Sequence, residues 1–241
     1  MYTKDDINYL NSLKRTNPDI YERITSIYSR LQSDVRKGCH DLRNIITLIS
    51  GSYQLIELDD ANLSGNERWL QMGSDIDFLV ASLDAISKYR YASVLQTRKV
   101  NTYEYVWQLQ EELSAINGVC PNISVSIPPT VPPISIDTDK ISYVIKALIT
   151  NIIDECSDAS ITLSIDYGAD NLYIRIADEL DGFNAETGGA IFELFNSDKQ
   201  NHIGLSLATS YRILLAHRGE LSYSKNTPNG SIFTLSLPIA P

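Results

Sequence analysis

The run Cys39-His40-Asp41-Leu42-Arg43-Asn44 carries the side chains best suited to chemistry in this 241-residue chain. A neutral imidazole nitrogen can attack a phosphorus centre, and since imidazoles titrate near pH ~6.5 a good fraction is neutral near pH 7. Asp41 can hold the proton of the second ring nitrogen and stabilise the charge that develops on the ring during transfer. Asn44 follows four residues on, one turn along the same helix face, where it could orient a water for hydrolysis of a phosphoryl group on a partner.

A helix must present these groups. From Leu31 the pattern Leu31, Val35, Gly38, Leu42, Ile45, Ile49, Ser52, Ile56 advances in steps of four and three, the seam of a coiled coil or four-helix bundle. Ile20, Ile24 and Ile27 carry the stripe back toward Asn17-Pro18-Asp19, a helix start with proline near the first turn. His40 falls two residues past the seam position Gly38, so it is expected to point outward. The turn-rich stretch 59–66 ends the helix. A second seam follows over Trp69, Met72, Ile76, Leu79, Leu83 and Ile86, and two such helices fold back as an antiparallel hairpin. A lone hairpin leaves its stripe uncovered. Pairing of two hairpins into one bundle is the expectation, with cover by the second half of the chain as the alternative.

Beyond Arg98-Lys99 the pattern changes. Val106, Leu109 and Leu113 suggest a further helix, and 122–127 alternates as a strand before Pro128-Pro129 and Pro132-Pro133. The intervening PxxP spacing reads as loop punctuation. A helix is predicted over about 138–156, strands over 161–165 and 172–177, a helix over about 205–217, and a terminal hairpin joining 220–224 to 232–237 across Asn229-Gly230. The fold class expected is α+β: a helical hairpin domain over 1–97, then an α/β sandwich domain over 98–241 with helices on one face of a mixed sheet.

Composition narrows the partners. The formal net charge of −10 disfavours nucleic acid and anionic membranes, the basic residues being scattered apart from pairs such as Arg36-Lys37 and Arg98-Lys99. No apolar run approaches the ~20 residues that span a bilayer. The N-terminus has no signal-like apolar region, and three cysteines (Cys39, Cys120, Cys156) without CxxC spacing read as reduced thiols. A cytoplasmic protein with a protein or nucleotide partner is expected, and N-x-S triplets such as Asn229-Gly230-Ser231 are chance matches.

His40-Asp41-Leu42-Arg43-Asn44 resembles the H-[ED]-x-x-[TN] phosphoacceptor box of bacterial two-component sensor histidine kinases, and Cys39-His40-Asp41-Leu42 also resembles the histidine phosphotransferases that share this architecture without using ATP. The resemblance extends over roughly residues 20–241. It implies a dimerising phosphotransfer hairpin, a homodimer, a response-regulator receiver domain as partner, and an ATPase-like sandwich of the gyrase, chaperone and kinase superfamily. The segment 146–156 resembles the asparagine box, with Asn151 matching the residue that holds magnesium and phosphates. The segment 178–183 resembles the D-x-G-x-G box, with Asp178 matching the adenine-recognising carboxylate and Gly182 retained, while Leu180 replaces the first glycine. Ile191-Phe192-Glu193-Leu194-Phe195 matches the phenylalanine box. His202-Ile203-Gly204-Leu205-Ser206-Leu207 lies where the family has G-x-G-L-G-L, keeping only Gly204 of three glycines; His202 reads as a bystander.

Boxes that serve the fold persist and those that contact phosphate are worn, and no P-loop supplies phosphate binding elsewhere. The reading that follows is a histidine phosphotransferase, or degenerate histidine kinase, relaying phosphoryl groups through His40, Asp41 and Asn44. Asn151, Asp178, Gly182 and Gly204 would bind ATP, with Mg²⁺ on Asn151, if that use is retained. The alternatives are an ATP-dependent kinase that autophosphorylates His40 and a non-catalytic module that binds response regulators.

Overall fold

The computed structural model describes residues 4–116, 118–180, 190–195, 203–227 and 229–239. Contacts divide them into two compact units, one over residues up to Ser87 and the other beginning at Lys88.

The first unit is helical. Helix α1 spans Lys4–Thr16 and α2 spans Pro18–Asp59. The break between them is local: Asn17 caps α2, its side chain accepting from the Ile20 amide, and Pro18 occupies the first turn where its missing N–H costs nothing. Sequence reading placed the α2 start correctly but assigned nothing to α1. At 1.5 Å per residue the 42 residues of α2 extend about 63 Å. A 3₁₀ turn at Ala61–Gly65, capped by Asp60, leads into α3 at Glu67–Tyr91.

The two long helices run antiparallel. Near the turn the Tyr53 ring stacks on Trp69 at 4.3 Å between centroids, and its hydroxyl donates to the Trp69 carbonyl at 3.1 Å. Gly73 makes room for that ring, since a Cβ there would lie 2.6 Å from the Tyr53 hydroxyl. Further along, the Arg43 guanidinium pairs with the Asp84 carboxylate. Both partners of that pair are nearly half exposed, so it orients the helices more than it stabilises them. Within the single chain α2 buries no residue. Leu31, Val35, Leu42, Ile45, Ile49 and Ile56 all remain about half exposed, so the stripe read from the sequence is present and uncovered.

The second unit is an α/β layer. Strand β1 (Arg98–Val100) precedes α4 (Thr102–Leu113), β2 (Asn122–Ser126), β3 (Ile134–Ile136), α5 (Thr138–Ile153), β4 (Ser160–Tyr167), β5 (Asn171–Ala177), α6 (Ser206–Ala216), β6 (Glu220–Lys225) and β7 (Ser231–Pro238). The main sheet has the order β2-β4-β5-β7-β6, with β2 parallel to β4 and every other pair antiparallel. Alternate residues of β4, β5 and β7, among them Leu163, Ile174, Ile176, Phe233, Leu235 and Leu237, are buried with α4, α5 and α6 in one core. Helix α5 contributes seven buried side chains, each worth about 1.5–3 kcal/mol relative to exposure.

Several boundaries differ from those read in the sequence. Helix α5 stops at Ile153 rather than Cys156, because the Asp154 amide turns back onto the carbonyls of Thr150 and Ile152. The terminal hairpin closes through residues 226–230, the Asn226 amide donating to the Gly230 carbonyl at 2.9 Å, rather than across Asn229-Gly230 alone. The short antiparallel pair β1–β3 went unread; its three-residue strands are too brief to show alternation.

His217 joins three parts of this unit. Its Nδ1–H donates to the Ile213 carbonyl at 2.8 Å and its Nε2 accepts from the Asp137 amide at 3.0 Å. The Asp137 carboxylate caps α5 through the Lys140 amide and accepts from the Gln96 amide. Burial is the main cause that holds the imidazole below its usual pKa. The unfolded chain therefore takes up a proton first as the pH drops below about 6.5, and stability is full above that value and falls beneath it. Urea midpoints measured at pH 8 and pH 5.5 are expected to lie closer together in His217→Gln, whose amide can accept and donate without titrating. An unchanged gap would contradict this role.

Candidate functional site: an exposed imidazole and a buried carboxylate

His40 projects from the middle of α2 with 70% of its side chain exposed, beside an Asp41 side chain that is 59% exposed. Asp41 Oδ1 lies 3.3 Å from His40 Nδ1, and Asn44 Nδ2 lies 3.4 Å from the same nitrogen. Two groups thus compete for one ring atom. With its proton on Nδ1 the ring donates to the carboxylate, the stronger acceptor, whereas the Asn44 amide nitrogen can donate only to the opposite tautomer. The Asp41-bound tautomer leaves the lone pair on Nε2, which has no partner among the described residues. Arg43 turns away toward Asp84 on α3, so one short segment both orients the imidazole and ties its helix to the hairpin. Cys39 is a partly buried free thiol.

The second unit carries the other cluster. Asp178 follows β5 and is 3% exposed. Its Oδ1 accepts from the Leu180 amide at 2.9 Å and the Ser231 amide at 3.3 Å. Its backbone is held equally closely: its amide donates to the Ser231 carbonyl and its carbonyl accepts from the Asn226 side chain. Burial raises the carboxyl pKa and the charge of Glu155 adds to that, while the two amides pull it back. Gly230 makes the arrangement possible at φ +112°, because a Cβ there would lie 2.0 Å from the Asp178 carbonyl oxygen. Ser231, Asn226 and Gly230 were not foreseen as supports of Asp178; the Asn229-Gly230 turn was the signal in that direction. Leu180, which stands where the box that this segment resembles has its first glycine, keeps its backbone out of the left-handed region and packs against the core.

Asn151 is half-buried on α5, with Asp154 and Glu155 exposed just beyond it. Gly204 adopts φ +68°, and its carbonyl accepts from the Phe195 amide at 3.0 Å. Phe195 is itself left-handed at φ +61°. Gly182 and His202 lie outside the described residues. Asp178 suits the base of a nucleotide, being a buried carboxylate with only one oxygen engaged by the described residues. Of the residues whose sequence context resembles phosphate-contacting boxes, Asn151 and Gly204 lie among the described ones. Among the described residues no group of three His, Cys, Asp or Glu side chains is placed to hold a metal ion.

Comparison with known proteins agrees with this architecture. Residues 136–241 match the family model described as histidine kinase-, DNA gyrase B-, and HSP90-like ATPase. The chain is 24% identical over 219 residues to the sensory histidine kinase/phosphatase NtrB of Rhodobacter capsulatus, a match that covers 84% of this chain and 60% of that protein. It therefore spans less than two thirds of that relative. Among solved structures it is similar to full-length ShkA in complex with AMPPNP, with a TM-score of 0.72 and 17% identity over 86% of this chain and 46% of that one. It is also similar to the histidine kinase ThkA in complex with the response regulator protein TrrA, with a TM-score of 0.56 and 17% identity over 97% of this chain and 67% of that one. A helical region bearing an H-D-x-x-N box, followed by an ATPase domain of this type, gives the chain the architecture of the two-component histidine kinases it is similar to.

Proposed function

We propose that this chain relays phosphoryl groups through His40 to and from the aspartate of response-regulator receiver domains, as a histidine phosphotransferase built on a degenerate histidine kinase. The observation that carries this reading is the exposed imidazole whose Nδ1 faces the Asp41 carboxylate while Nε2 has no described partner. In the transfer Nε2 attacks phosphorus, the N–P bond forms and the P–O bond to the receiver carboxylate breaks. The electron pair leaves with that carboxylate, and the positive charge on the ring is balanced by Asp41. Residues 1–97 would serve as the dimerising phosphotransfer domain. The uncovered α2 stripe favours a second copy as its cover, giving a four-helix bundle. Residues 98–241 would serve as the ATPase-like domain, retained chiefly as a docking surface. That ThkA was solved with a response regulator supports a receiver partner. Among the described residues no helix is long and apolar enough to cross a membrane, and a cytoplasmic setting suits this chemistry.

One observation favours an ATP-dependent kinase as the second reading. Asp178 is buried and held by two amides, as a carboxylate that recognises an adenine amine would be. Bound ATP and Mg²⁺ would supply the phosphoryl group; Asp178 and Gly182 would belong to the box that holds the base, with Asn151 and Gly204 at the phosphates and Asn151 on the metal.

Two incubations separate these readings. Label passing from a phosphorylated receiver to the wild type, with none arriving from labelled ATP–Mg²⁺, is expected. Label arriving on His40 from ATP would establish the kinase instead. No label from either source would leave a module that binds response regulators without chemistry. Asn44→Ala is expected to keep phosphotransfer and lose several-fold in receiver dephosphorylation, because in this reading Asn44 orients the attacking water; equal dephosphorylation by mutant and wild type would refute that role.

A further inference from the structure

The pair Arg36-Lys37 has no part in the chemistry described so far, although the chain as a whole carries a formal charge of −10. Both residues are exposed on α2, four and three positions before His40, the two spacings that bring side chains together on one helix face. Helical side chains lean toward the N-terminus, so the imidazole lies over the turn that carries this pair. The partners of Nδ1, Asp41 and Asn44, both follow His40 in the chain. The Nε2 edge of the ring is accordingly turned from them. Of the acids nearby, Asp41 faces Nδ1 and Asp84 pairs with Arg43, while the exposed Asp34 lies one turn before Lys37, farther from the ring.

A phosphoryl group placed on Nε2 adds up to two negative charges near pH 7. Asp41 alone would repel it. Resting on the reading of His40 as the phosphoryl acceptor, we infer that Lys37 forms a cationic seat that draws the incoming phosphoryl group to Nε2 and steadies it there. Lysine suits this role because its ammonium is a mobile point charge on a long stem. Asp41 then governs the proton side of the ring and Lys37 governs the phosphate side.

The test needs no receiver. Potassium phosphoramidate phosphorylates exposed histidines directly, and the ³¹P resonance that disappears in His40→Gln reports the group on His40. In the full-length wild type the pH titration of that resonance is expected to fall about half a unit below its midpoint in Lys37→Gln. That is the shift one positive charge produces across about 6 Å in near-aqueous surroundings. Labelling of His40 is expected to slow about three-fold in Lys37→Gln, Lys37→Arg is expected to restore both readouts, and added salt should erase the difference. Coincident titrations of wild type and Lys37→Gln would overturn the inference, as would failure of phosphoramidate to label His40 at all. A shifted titration together with no exchange with any receiver would sink the relay and leave the cationic seat standing.

Discussion

His40→Gln is expected to take up no label from a phosphorylated receiver, a loss of at least about 10³-fold, while unfolding within about 0.5 kcal/mol of the wild type. The side chain is 70% exposed and its contacts are the long ones to Asp41 and Asn44, so its removal costs the fold little. Glutamine preserves length and hydrogen bonding but offers no nucleophilic nitrogen. Loss of chemistry without loss of stability is the signature of a residue that serves the reaction alone. Transfer retained in this variant would move the acceptor elsewhere and end the relay reading. A large drop in the urea midpoint would show that His40 supports the helix, contrary to its exposure.

Gly230→Ala is expected to cost about 2–4 kcal/mol and to displace Asp178, the largest stability effect anticipated for a single methyl group here. The glycine adopts φ +112°, and the added carbon would lie 2.0 Å from the Asp178 carbonyl oxygen and 2.8 Å from its carbonyl carbon. Relief requires movement of the strand end that supplies the Ser231 amide to the Asp178 carboxylate. Gly51→Ala gives the contrast. Gly51 lies within α2, a Cβ there meets nothing within 4 Å, and the substitution is expected to gain about 0.5–1 kcal/mol from helix propensity. Equal midpoints for the two variants in urea would mean that Asp178 is not held as tightly as its contacts indicate.

These two variants also mark how far the sequence could be read. The exposed His40 imidazole and its neighbours were legible because its surroundings are local: Asp41 adjoins it, Asn44 is one turn on, and helix geometry places all three from spacing alone. The start of α2 was legible for the same reason, Asn17 and Pro18 satisfying the first turn from within it. Strand alternation revealed the main sheet because buried and half-exposed residues truly alternate along β4, β5 and β7.

Other features rest on contacts between distant residues. The Asp178 carboxylate is anchored by the Ser231 amide 53 residues away, Asp137 accepts from the Gln96 amide across 41, and the Asp137 amide reaches His217 across 80. No spacing rule predicts which backbone amide will meet a given buried carboxylate or imidazole, since that follows from strand register and helix docking. Sequence by itself determined the long helical hairpin and the α/β class of the second unit, and it singled out His40 as the candidate acceptor, because periodicity, capping and helix spacing act within a few residues. Only the tertiary structure decided that Asp178 and His217 are buried and hydrogen-bonded, and that the α2 stripe stays about half exposed among the described residues. Burial and long-range hydrogen bonding exist only after the elements have packed.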